Sequence, residues 1–225
     1  MKNIRNLTTQ QINDYRTKIA FYANSAQFKK AYNLSLTLHR KYPRVLMFAY
    51  LEAVFTAEDT RGLTKKQAAK KYELATKKLR LILYRLKFQD LALRNRIRNE
   101  YYWFSKQPRK QYNLGLEINK ADSEAGHYSQ GVGAAMLAYQ YAKNNQWKKA
   151  IEWSKKSETA WLLFFKIKPN WFNAYMFYAL VLGIQQRDRE VKQAIRKSAK
   201  ISGQSPDSKT FSFVFEKLKK LEFPI

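Results

Sequence analysis

Three observations predict an all-α fold. Chain breakers are scarce, with 7 Gly and 5 Pro in 225 residues, too few to punctuate many short strands. Apolar residues recur at spacings of three and four over long stretches; Ala68, Tyr72, Ala75, Leu79, Ile82 and Leu86 are one such stripe, the pattern of a helix with one buried face. The chain also repeats itself. Gln27-Phe28-Lys29-Lys30-Ala31-Tyr32 returns as Gln146-Trp147-Lys148-Lys149-Ala150-Ile151, each copy preceded by Tyr-Ala (Tyr22-Ala23, Tyr141-Ala142) and a short polar turn. Two helices joined by such a turn form a hairpin whose outer faces still need neighbours. Ala31 and Ala150 are the small residues a close helix crossing demands, and Phe28 and Trp147, three positions earlier on the same face, wedge between the paired helices.

Composition bounds the rest. A hydrophobic content of 45% over 225 residues supports a sizeable core in one domain spanning 1–225. The chain lacks Cys, which leaves no disulfide framework and no thiolate metal site. Neither the first residues nor any later run has the apolar length of a signal peptide or a membrane span, and the expectation is a soluble, cytoplasmic protein.

The elements follow in order. Thr8-x-x-Gln11 is a capping box that opens the first helix. Pro43 disfavours helix at Tyr42 and closes the first hairpin. Residues 44–57 carry a wide apolar face, and Gly62 follows that helix. Thr64-x-x-Gln67 is a second capping box, opening the longest and most basic helix. Residues 88–104 and the segment after Pro108 form a third pair, with Gln111 standing where the repeat wants Ala. Residues 122–133 hold three glycines and read as a loop or hinge. Residues 133–143 and 147–166 make the clearest copy, and 169–186 with 190–201 a fifth, in which Val191 stands in for the turn aromatic and Ala194 for the crossing alanine. A last helix after Pro206 presents Phe211, Val214, Phe215, Leu218 and Leu221 on one face, as expected of a helix that caps a repeat array.

This anatomy resembles the tetratricopeptide repeat family. Tyr15, Ile19, Tyr22, Phe28, Ala31 and Pro43 fall where that family has its aromatic, small and closing positions, and Tyr141, Trp147, Ala150 and Ala194 restate part of the set. The resemblance implies a right-handed α-solenoid of about five hairpins (9–43, 44–87, 88–121, 131–168 and 169–203) with a terminal helix over 206–221, and a role in binding proteins. With 31, 68, 111, 150 and 194 taken as the alanine positions, the spacings are 37, 43, 39 and 44, longer than the family's usual unit of about 34 and overlapping armadillo-type repeats of about 40–47.

Chemistry has little to work with. His39 and His127 lie in no metal-ligand spacing and beside no nucleophile motif, and the glycines at 126, 131 and 133 lack the Lys-Ser or Lys-Thr of a phosphate loop. The expectation is a noncatalytic protein with no metal and no cofactor. Charge is the stronger signal: 43 Lys and Arg against 17 Asp and Glu give +26, which favours anionic partners. Lys66, Lys70, Lys77, Arg80 and Lys87 lie along one line of the long helix, with Lys71, Lys78 and Arg85 beside it. They form a candidate anion-binding face, and the bland alternative is a solvated helix surface.

Some tetratricopeptide proteins hold a partner's C-terminal carboxylates with Lys, Asn and Arg on the inner helices. Carried over, Arg16 stands where Lys is usual, but Ala20 and Ala49 occupy the Asn positions, so that clamp is missing here. In the fourth and fifth hairpins the inner positions are apolar: Val132, Met136, Tyr139, Met176 and Leu180 form a candidate partner groove suited to an amphipathic helix or to the chain's own terminal helix. The function expected is a protein-binding scaffold that takes an acidic or amphipathic-helical segment. Nucleic acid held by its phosphates is the alternative.

Overall fold

The computed structural model describes residues 7–25, 27–58, 63–86, 90–221 and 223. Among the described residues it forms eleven α-helices and no strand, the class that few breakers and long apolar stripes predict. Interior contacts divide the chain into two compact units, Met1–Ser105 and Lys106–Ile225. The sequence leads one to expect a single domain, and the division falls inside the expected hairpin 88–121.

The first unit holds α1 (Thr9–Asn24), α2 (Phe28–Lys41), α3 (Leu46–Glu58), α4 (Lys65–Leu86) and α5 (Leu91–Phe104). Both capping boxes form: the Thr8 hydroxyl accepts from the Gln11 amide at 3.2 Å while the Gln11 side chain accepts from the Thr8 amide at 3.0 Å, and Thr64 and Gln67 repeat the exchange at 3.3 and 2.9 Å. α2 ends at Lys41 because Tyr42 is held at φ −130°, ψ 65° ahead of Pro43. Each helix packs on the next in sequence, and α3 also touches α5. One core gathers Ile19, Ala31, Leu38, Phe48 and Phe55; a second gathers Ala75, Leu79, Ile82 and Leu86 of α4 with small residues of α3 and with Leu93, Ile97 and Phe104. Tyr22 and Phe28 stand half-buried at the rim of the first core, and Pro43 is exposed in its turn.

The second unit holds α6 (Pro108–Ile118), α7 (Ser123–Lys143), α8 (Trp147–Ile167), α9 (Phe172–Ile184), α10 (Asp188–Ser202) and α11 (Lys209–Leu218). The glycine run expected as a loop over 122–133 is helical. Asp122 caps α7 by accepting from the Ala125 amide at 2.9 Å, and the glycines serve close packing. A Cβ on Gly126 would stand 2.6 Å from the Asn119 Cα, one on Gly133 would stand 2.6 Å from the Tyr112 nitrogen, and one on Gly131 would enter the Trp161 ring at 2.6 Å. The first two glycines share the face turned to α6, and Gly131 faces α8. Close approach on two sides outweighs the roughly 1 kcal/mol each glycine costs a helix. Aromatics fill the middle of this unit, where buried Trp161 lies edge-on to Tyr128 and Phe164 and stacks at 6.1 Å on Phe177.

Hairpin turns show the repeat most directly. Gln27, Gln146 and Arg187 occupy one conformation ahead of their helices (φ −90° to −98°, ψ 54° to 62°). Each donates its amide five residues back, to Tyr22, Tyr141 and Leu182, at 2.8, 2.9 and 3.0 Å. Asn145 and Gln186, just before two of them, are left-handed at φ 56° and 59°. This shared turn fixes the register of α10 on α8: Gln146 corresponds to Arg187, so Val191, not Ala194, takes the place of Ala150. A buried hydrogen bond repeats at the same offset, with the Ser157 hydroxyl donating to the Gly131 carbonyl at 2.7 Å and the Ser198 hydroxyl to the Phe172 carbonyl at 2.8 Å. Ala150 is fully buried, as the crossing requires, Ala194 is buried one turn beyond Val191, and Tyr141 and Trp147 are half-buried at the turn.

Candidate functional site

Two surfaces answer to the sequence expectations, one in each unit. In the second, the expected groove residues Val132, Met136 and Tyr139 lie on α7, and Met176 and Leu180 on α9. All but Met136 are buried, and Met136 is half-buried. α11 packs on α9, and the fit is specific at two points. Gly183 leaves a notch that Leu218 fills so closely that a Cβ there would stand 2.3 Å from Leu218 Cδ1. One residue earlier, the Lys217 ammonium sits 4.2 Å from the centre of the Tyr139 ring, a cation–π contact strengthened by desolvation. Burial, with Lys220 and Lys143 nearby, lowers the Lys217 pKa, and burial raises that of the Tyr139 phenol. Phe211 and Val214 of α11 are fully buried. Beyond the helix, the Phe223 ring lies 5.1 Å from Trp147. Of the expected groove residues, Tyr139 thus meets α11, which packs on α9 beside Gly183.

In the first unit, the outward face of α4 presents Lys66, Lys70, Lys77 and Arg80 to solvent; Lys87, the fifth residue of the expected line, lies outside the described residues. Lys77 pairs with Glu73 one turn back at 2.8 Å, an exposed pair of small energetic weight. The cations do not stand alone. Leu74, Leu81 and Tyr84 share their face and are 47%, 66% and 83% exposed. The neighbouring line divides: Arg85 is exposed, whereas Lys78 turns inward to bond Glu52 at 2.5 Å.

Glu52 is the residue that sequence reasoning missed. It lies in the apolar stretch of α3, is buried, and joins three helices by accepting from Lys78 of α4 on one carboxylate oxygen and meeting the His39 Nδ1 of α2 on the other. Burial pushes its pKa up, yet the hydrogen bonds and charges of Lys78 and His39 outweigh that and hold it below its ordinary value. His39 is thus a packed structural residue. The only signal available was an acid in the middle of an apolar helix, which reads equally well as an exposed position. Arg187 does similar work in the second unit, bonding Glu158 of α8 at 2.6 Å and Glu190 of its own helix. His127 sits on α7 with its pKa lowered by burial. No group of three or more His, Cys, Asp or Glu among the described residues could hold a metal ion, and no helix there is long and apolar enough to cross a membrane.

No family model matches the chain, and no curated protein matches it.

Proposed function

We propose that this chain is a noncatalytic helical-repeat scaffold whose second unit binds an amphipathic helix of a protein partner, with α11 as the resident occupant of that site. The observation that carries this is the seat of Leu218 in the Gly183 notch, beside Lys217 over the Tyr139 ring. An apolar helical face with a side-chain-shaped notch and an aromatic acceptor for a cation has the elements of helix-in-groove recognition, and α11 supports a partner helix of like chemistry: aromatic and branched apolar residues at i, i+3 and i+7 beside a Lys. The repeat type in this reading is the tetratricopeptide one, with its right-handed stacking of hairpins, and the location is the cytoplasm. Recurrence of one turn conformation ahead of α2, α8 and α10 supports that type.

The test keeps the full chain. Replacing Val214 and Leu218 together by Glu should detach α11 and leave the inner face open. A labelled peptide of residues 206–221 should then bind the variant saturably and at least about tenfold more tightly than the intact chain, because it no longer competes with a tethered copy. Adding Gly183→Leu to the variant should abolish that binding. A variant that remains folded and shows no peptide binding refutes the reading.

Nucleic acid is the second reading, favoured by the row of exposed cations on α4. It predicts an affinity for random RNA or DNA that falls log-linearly with salt, with a slope of about 0.7–0.9 per phosphate contacted.

A further inference from the structure

The outward face of α4 carries more than a solvated helix surface or a phosphate-binding line needs. Lys66, Lys70 and Arg80 are interleaved with Leu74, Leu81 and Tyr84, all six exposed, over a helix of 22 residues. At 1.5 Å per residue the stretch from Lys66 to Tyr84 runs about 27 Å along one side of the helix. The opposite side is fixed. Ala75, Leu79, Ile82 and Leu86 are buried in the core shared with α3 and α5, and Lys78 is anchored to Glu52. The exposed apolar side chains are therefore held outward on a rigid helix. They are not displaced core residues waiting to pack.

We infer that this face is a peripheral docking surface for an anionic lipid bilayer, with α4 lying along the headgroup region. Charge complementarity supplies the attraction: the chain carries +26, and Glu73 is the lone acid within α4. The cations reach lipid headgroups while Leu74 and Leu81 enter the acyl boundary and the Tyr84 ring settles at the interface that amphipathic aromatics favour. A nucleic acid would use the cations and could stack on Tyr84, but it offers two aliphatic side chains nothing that water does not. The Leu residues decide for lipid.

The test is sedimentation of the full chain with phosphatidylcholine vesicles, with and without phosphatidylserine, at low and at physiological salt. Binding should require phosphatidylserine. Leu81→Ser with Tyr84→Ser should weaken it about tenfold at physiological salt by removing the inserted groups, and Lys70→Glu with Arg80→Glu should weaken it more than tenfold at low salt. All four positions are exposed, and a circular dichroism melt checks that each variant folds; Leu74→Ser carries the apolar test if the double variant does not. Three results overturn the inference: no binding to phosphatidylserine vesicles, binding that survives the loss of Leu81 and Tyr84 unchanged, or displacement from vesicles by a short RNA whose own binding ignores those two residues.

Discussion

Replacing Glu100 by Gln should remove a pH-dependent weakness of the first unit. Glu100 stands on α5, partly buried. Desolvation, with the charge of Glu58 added, lifts its pKa to about 8 from an ordinary 4.5, and the Asn99 amide 3.4 Å away opposes this only weakly. In the unfolded chain the carboxyl loses its proton near pH 4.5, whereas in the folded chain it keeps the proton to about 8. Between those values the folded state binds more protons than the unfolded one. Stability contributed by this group is therefore fully present below the lower value, falls as pH rises through the window, and levels off above it. The whole gap corresponds to about 5 kcal/mol; the solvent contact that Glu100 retains reduces this to about 2 kcal/mol. Gln keeps the shape and has no proton to lose. Unfolding free energies of the two proteins from urea titrations should coincide near pH about 5 and separate by about 2 kcal/mol near pH about 9, with the Gln variant the more stable. Parallel curves across the window would refute the assignment of a protonated Glu100.

Glu52→Ala should cost about 2–3 kcal/mol in chemical denaturation, since it strands Lys78 and His39 beside a packed core; an unchanged midpoint would remove Glu52 as the link between α2, α3 and α4. Ala150→Leu should cost about 1–3 kcal/mol by overpacking a fully buried crossing, and an untouched midpoint would mean the hairpin register is wrong. Gly203 closes α10 at φ 66° with nothing within 4 Å of an added Cβ, so Gly203→Ala should lose about 1 kcal/mol from backbone strain alone, while Gln186→Gly, at φ 59°, should gain up to about 1 kcal/mol. Gly183→Leu should push Leu218 out of its notch and lift α11 from α9, raising hydrophobic-dye fluorescence and lowering thermal stability; a variant with neither change would show that the helix is not held by that notch.

Much of this architecture is written locally, and local features are what a sequence carries. α1 and α4 begin where Thr8 and Thr64 exchange hydrogen bonds with a Gln three residues on. The stripe Ala75, Leu79, Ile82, Leu86 is buried as its spacing requires, and the exposed line of Lys66, Lys70, Lys77 and Arg80 follows from the same periodicity. The repeat of Gln27–Tyr32 in Gln146–Ile151 became two turns of the same conformation.

Contacts between elements decided the rest. Gly126, Gly131 and Gly133 look like a hinge by propensity, but α7 is squeezed between α6 and α8, where a helix without Cβ atoms at those positions is what fits. Alanine matching in the fifth hairpin led to Ala194, whereas the turn at Gln186-Arg187 puts Val191 opposite the crossing, because backbone geometry rather than side-chain identity sets a hairpin's register. Val132, Tyr139, Met176 and Leu180 are legible as apolar positions, and all four are buried; that the terminal helix packs on α9 depends on Leu218 meeting Gly183, 35 residues earlier. Glu52 is the sharpest case. Its partners lie 13 residues before and 26 after it, and only the packing of three helices brings them close enough to keep a charge inside an apolar core.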